Sequence, residues 1–127
     1  MSRRTYEVLG APAPGGPYSA NARVGRFVAV AGQCGYLPDR TLAVGVAAQT
    51  RVALHNLLAA LEAAGAVETD IIATGVFLAD GDDFDAMNEV YREFFSHPWP
   101  PRTTVVAGLR PGVLFEINAT AVADEEG

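Results

Sequence analysis

Two successive prolines, Pro100 and Pro101, stand before the β-branched run Thr103 to Val106, and no other stretch so narrows what this chain can fold into. Proline fixes φ, withholds a backbone N–H and biases the preceding residue away from helix, so the chain is delivered extended into a segment whose side chains suit a strand. Arg102 therefore stands at a strand start with a defined direction. Arg110-Pro111-Gly112 then interrupts with turn residues, and a second alternating run follows from Val113 to Ala123. There Phe115, Ile117, Ala119 and Ala121 fall on one face, and Glu116, Asn118 and Thr120 on the other. The two runs predict a β-hairpin. With Thr104 opposite Glu116, Arg102 and Glu116 become diagonal neighbours on one polar face, within reach of one small molecule; a one-residue slip would put them on opposite faces. Taken alone, the same pairing is better read as an exposed cross-strand ion pair of little energetic weight.

Upstream, Thr5 to Leu9 predicts a short edge strand, and the Pro/Gly-rich segment Gly10 to Pro17 predicts a stiff loop that delivers Tyr18. A strand over Arg26 to Ala31 breaks at Gly32-Gln33-Cys34-Gly35, where glycine admits a close backbone approach, a bulge or a strand end. A turn at Pro38-Asp39 and a short strand near Thr41 to Val44 lead to a helix from Val46 to Ala64, stopped by Gly65. Asp70 to Ala79 is apolar on both faces, as befits a central strand or one covered by another subunit. Asp80 to Asp83 precede a second helix, Phe84 to Phe95, whose apolar stripe contains Asn88; that amide either ties down backbone or points into a polar pocket. The expected architecture is α+β in a single domain over residues 1–127, a mixed β-sheet with two α-helices packed on one face.

Charge and residue usage exclude several chemistries. A formal net charge of −6 is the wrong sign for a phosphate backbone, so nucleic acid is an unfavoured partner. All nine basic residues are arginine, which removes a lysine Schiff base, a pyridoxal-phosphate anchor and a P-loop lysine. Arginine instead matches carboxylate bidentately. Cys34 is the only cysteine and has no neighbouring base in the sequence to activate it, so it is read as a packed bystander. With only His55 and His97 beside it, no metal ligand set is expected. No apolar run reaches membrane-spanning length and the first residues lack a secretory signal's apolar core, which predicts a cytoplasmic protein without a membrane partner.

Pro101-Arg102-Thr103-Thr104, the Pro111-Gly112 turn and Phe115-Glu116-Ile117 resemble the signature of the RidA/YjgF family of small enamine/imine deaminases. Gly16-Pro17-Tyr18-Ser19, Ala31-Gly32-Gln33, Asp83-Phe84 and Asn88-Glu89-Val90-Tyr91 follow the family's order and spacing, so the resemblance covers nearly the whole chain. Thr104 stands where some members carry cysteine, and Asn118 where many carry a second glutamate. The resemblance implies a chorismate-mutase-like homotrimer, with sheets packed inward and pockets between subunits. It implies hydrolysis of 2-aminoacrylate or 2-iminobutanoate without a cofactor. Arg102 would then clamp the carboxylate and Glu116 activate water, while Tyr18, Gly32, Asn88 and Thr104 line the substrate pocket. A non-catalytic carboxylate-binding or regulatory trimer uses the same pocket without turnover. An endoribonuclease, an activity attributed to some relatives, is opposed by the negative charge.

Overall fold

The computed structural model describes residues 1–125 and is organised on one five-stranded sheet. Its strands are β1 (Asn21–Val24), β2 (Phe27–Cys34), β3 (Ile71–Leu78), β4 (Arg102–Val106) and β5 (Phe115–Val122), in the order β1-β2-β5-β3-β4. All pairings are antiparallel except β3 with β4. Two helices, α1 (Val46–Ala63) and α2 (Phe84–Tyr91), cover one face. Among the described residues no helix is long and apolar enough to cross a membrane.

Helix α1 forms because its apolar residues recur at helical spacing: Ala53, Leu54, Leu57, Ala60 and Leu61 are all buried against the sheet. Its end is a Schellman motif. Gly65 takes φ 88, donates to the Glu62 carbonyl at 2.9 Å, and the next amide, from Ala66, reaches Leu61 at 3.1 Å. Opposite it, Val28, Val30, Val76, Leu78, Phe115, Ile117, Ala119 and Ala121 supply the sheet's side of the core. The other face is open and partly apolar, with Phe27 62%, Ile72 48% and Val105 43% exposed.

The hairpin between the Arg102 and Glu116 runs does not form. Thr104 pairs with Val76, whereas Glu116 lies between Cys34 and Phe77, so β3 separates the two strands. Burial follows the order: the inward residues of β5, at the centre of the sheet, are at most 3% exposed, while β4, at its edge, is half exposed. The parallel β3–β4 pair is closed by a crossover through α2. The eight-residue link from Ala107 to Leu114 is longer than a usual hairpin loop and carries the chain across β3.

Three smaller expectations also change. Thr5 to Leu9 forms no strand; the N-terminal segment makes one isolated bridge, Arg4 to Arg23, and the edge is occupied by the unanticipated β1. Thr41 to Val44 contributes only the bridge Tyr36 to Leu42. Helix α2 ends at Tyr91 and tightens into turns through Phe94, which returns Phe95 to the core stacked on Tyr91 at 4.3 Å.

Candidate active site

Five of the six sequence-derived site residues fall into two separate cavities, Tyr18, Gly32 and Glu116 in one and Arg102 and Asn88 in the other. Cross-strand partners share a face, so Arg102, opposite buried Thr74, points to the helix side, and Glu116, opposite Phe77, points to the open side. Their Cα atoms lie roughly 14 Å apart, two strand spacings across and three residues along. One copy of the chain therefore cannot present both to one small molecule.

The first cavity, of about 460 Å³, lies where β2 bulges between Val30 and Gln33. Glu116 sits over that bulge, and only glycine fits beneath it: a Cβ on Gly32 would lie 2.2 Å from Oε2 of Glu116 and 3.0 Å from its carboxyl carbon. The other oxygen, Oε1, accepts a hydrogen bond from the Cys34 thiol at 3.3 Å. Tyr18 stands half exposed at the rim, its hydroxyl accepting from the Gly15 amide at 3.2 Å. The loop before β5 is held by Gln49, which is buried. Its amide donates to Gly112 at 3.0 Å and Ala43 at 3.1 Å, and its carbonyl accepts from the Leu114 amide at 2.8 Å. Gln49 thus fixes where β5, and with it Glu116, begins.

The second cavity, of about 390 Å³, is lined by Asn88, Tyr91, Arg92, Trp99, Pro100 and Arg102. The Arg102 guanidinium lies 4.6 Å from the Tyr91 ring centroid and 5.7 Å from that of Phe84, and it has no carboxylate partner among the described residues. Tyr91 is in turn anchored through its hydroxyl to Thr74 at 2.8 Å; burial, first of all, raises its phenol above the ordinary value. A cation braced on aromatic faces and free of an acid is an anion site in waiting. Asn88 borders this cavity, in line with the pocket alternative for its amide. Thr104 lies on the same sheet face as Arg102, two residues farther along β4, and lines neither cavity.

Cys34 is more than a bystander by position, though not by reactivity. Burial, then the Glu116 charge and the hydrogen bond to it, push the thiol from its ordinary 9.0 to about 12, against a lesser opposing pull from Arg110. A proton donor to Glu116, it is no nucleophile at neutral pH. Its link to Glu116 arises from the β2–β5 register, across eighty-two residues of chain, and no local pattern announces it. Iodoacetamide should alkylate Cys34 on the order of a hundredfold or more slowly than free cysteine at pH 8, and Glu116→Gln should speed it. Because the folded value lies above the unfolded one, this group's contribution to stability is whole below pH 9.0 and is lost as pH rises towards about 12. Fast alkylation of the native protein at pH 8 would contradict the buried, protonated thiol.

Among the described residues no three His, Cys, Asp or Glu side chains come together as a metal site. The family model described as Endoribonuclease L-PSP matches residues 8–123. The human protein named 2-iminobutanoate/2-iminopropanoate deaminase is 37% identical over 125 residues, covering 96% of this chain and 91% of its own. A RutC family protein of Pyrococcus abyssi is 42% identical over 124 residues, covering 95% and 98%. Among solved structures, E. coli TdcF with bound serine superimposes with a TM-score of 0.88 at 34% identity, covering 95% of this chain and 99% of that one.

Proposed function

The chain belongs to the RidA/YjgF family, that of the Endoribonuclease L-PSP model, and from that premise we propose that it hydrolyses short 2-enamine and 2-imine carboxylic acids at sites shared between copies of itself. The substrates are compounds such as 2-aminoacrylate and 2-iminobutanoate, and the products are the 2-oxo acid and ammonium. The observation that carries this reading is the division of the site. A guanidinium without an acid partner lies on one face of the sheet, and a carboxylate seated over a glycine lies on the other. Clamp and base act together when Arg102 of one copy closes over Glu116 of the next. The partly apolar open face, with Phe27, Ile72 and Val105, supplies the surface on which copies associate, as a chorismate-mutase-like homotrimer. The name of the human relative supports the reaction, and the serine bound to E. coli TdcF supports a small carboxylate-bearing ligand.

In the proposed reaction Arg102 grips the substrate carboxylate at two points and holds the imine carbon near Glu116. Cys34 occupies Oε1 as a donor, which leaves Oε2 to orient a water and take its proton as the oxygen attacks. Tyr18 closes the rim, the backbone at Gly32 borders the substrate, and Asn88 borders the Arg102 side, with Thr104 two residues farther along β4. These imines already hydrolyse in water, so positioning and general acid–base assistance of roughly 10² to 10⁴ suffice without a cofactor.

Purified protein mixed with a 2-imino-acid generator should accelerate imine loss, and light scattering should report three chains. A folded trimer that binds 2-oxobutanoate yet leaves imine decay unchanged would instead be a carboxylate-binding module. A stable monomer at micromolar concentration would remove the shared site altogether.

A further inference from the structure

The cavity that holds Glu116 has a charged wall that hydrolysis of a simple imino acid does not use. Arg110 comes from the turn before β5, and Arg40 from the turn after Pro38; both reach Gly15 in the proline-rich loop. A Cβ on Gly15 would lie 2.9 Å from Nη2 of Arg40 and 3.4 Å from Nη1 of Arg110, so the two guanidinium groups approach within roughly 6 Å of one another. Like charges so close call for a counter-ion. The Arg110 side chain makes no hydrogen bond or ion pair among the described residues, and the Arg40 side chain donates only to the Ala13 carbonyl while lying 5.7 Å from the Tyr36 ring centroid.

Two further observations favour a ligand over chance. Arg40 has φ 69, a left-handed conformation that costs a non-glycine residue, yet the turn holds it there through its own amide to Leu37 at 2.7 Å. The strained residue is one whose side chain lines the cavity. Arg110 also acts electrostatically on Cys34, the thiol that touches Glu116, so its positive charge reaches the Cys34–Glu116 pair. In a chain of net charge −6, two of nine basic residues gathered here without an acid partner form a local positive mouth.

We propose that Arg40 and Arg110 form a second oxyanion subsite, and that the preferred substrate is a dicarboxylic 2-imino acid, such as the imine of glutamate. This rests on the hydrolytic reading above. The α-carboxylate goes to Arg102 of a neighbouring copy and the side-chain carboxylate to the arginine pair, with the imine carbon between them at Glu116. Water adds its oxygen to the carbon of the protonated imine and gives a proton to Glu116. That proton then passes to the nitrogen, the C–N bond breaks with its electron pair leaving on ammonia, and the carbinol hydroxyl gives its proton through Glu116 to that ammonia as the second carbonyl bond forms. One protonated imine and one water give one 2-oxo dicarboxylate and one ammonium.

Calorimetry with 2-oxoglutarate and 2-oxobutanoate tests the subsite apart from turnover. The expected result is at least tenfold tighter binding of the dicarboxylate, the gap closing to less than threefold in Arg110→Gln and in Arg40→Gly. The glycine variant suits φ 69 and so keeps the turn. Equal affinities in the wild type, or a gap that survives both substitutions in folded protein, would overturn the proposal, as would no binding of either acid. Turnover of the imines made from glutamate and 2-aminobutyrate supplies the second arm. A binding gap without turnover of either imine supports the subsite and sinks hydrolysis; turnover of 2-iminobutanoate without a gap sinks the subsite alone.

Discussion

Replacing Arg102 by lysine will leave the fold and the assembly unchanged and lower kcat/KM for 2-iminobutanoate on the order of a hundredfold. Lysine keeps the charge but loses the planar fork, and with it one of two charge-assisted hydrogen bonds to the substrate carboxylate, each worth roughly 1.5–3 kcal/mol. It also gives up most of the packing on Tyr91 and Phe84, 4.6 Å and 5.7 Å away, which aims the guanidinium before substrate arrives. The effect should fall on both KM and kcat, because the clamp both binds the acid and fixes the imine carbon over Glu116. Steady-state kinetics, with thermal melting and light scattering on the same preparation, decide the matter. Near wild-type turnover would make Arg102 a structural residue packed on α2, and a collapsed melting temperature would say the same.

The second large effect is expected from Glu116→Gln. Glutamine preserves the shape over the bulge and still accepts the Cys34 hydrogen bond through its carbonyl oxygen, so stability and carboxylate binding should hold. What disappears is the basic oxygen. General-base assistance is worth roughly 10² to 10⁴, and spontaneous imine decay hides part of it, so at least about a tenfold fall in kcat should be read. Gly32→Ala should reach the same end by geometry, since its Cβ would overlap Oε2 and drive the carboxylate from its seat. Cys34→Ala should alter kcat less than about threefold, because a thiol held near 12 supplies no nucleophile. An active Glu116→Gln beside a folded but dead Cys34→Ala would reverse the assignment and make this a thiol enzyme.

Local chemistry was legible where the chain itself carried the cause. The period of the α1 stripe, the glycine at its end and the double proline before Arg102 act within a few residues, and the structure has α1 at Val46–Ala63 and β4 opening on Arg102. The alternation in Phe115 to Ala121 likewise predicted which face is buried. Partnership between strands was another matter. Arg110-Pro111-Gly112 does make a turn, with Val113 donating to Arg110 at 3.0 Å and Gly112 at φ 80, but a turn specifies a reversal and not which strand lies beyond it. The length of the link was the available signal against a hairpin.

By itself the sequence determined the element types, the apolar faces, the all-arginine charge chemistry and the motif series that marks the family, because each depends on residue identity at short range. Only the tertiary structure decided that β5 runs between β2 and β3, that Arg102 and Glu116 therefore lie on opposite faces, that Cys34, Arg40 and Arg110 converge around the Glu116 cavity, and that Gln49 holds the loop leading into β5. The physical reason is burial. The apolar inward side chains of β5 leave water at the centre of the sheet, where its backbone has hydrogen-bonded neighbours on both sides, and that requirement of the whole core outweighs the preference of any one turn.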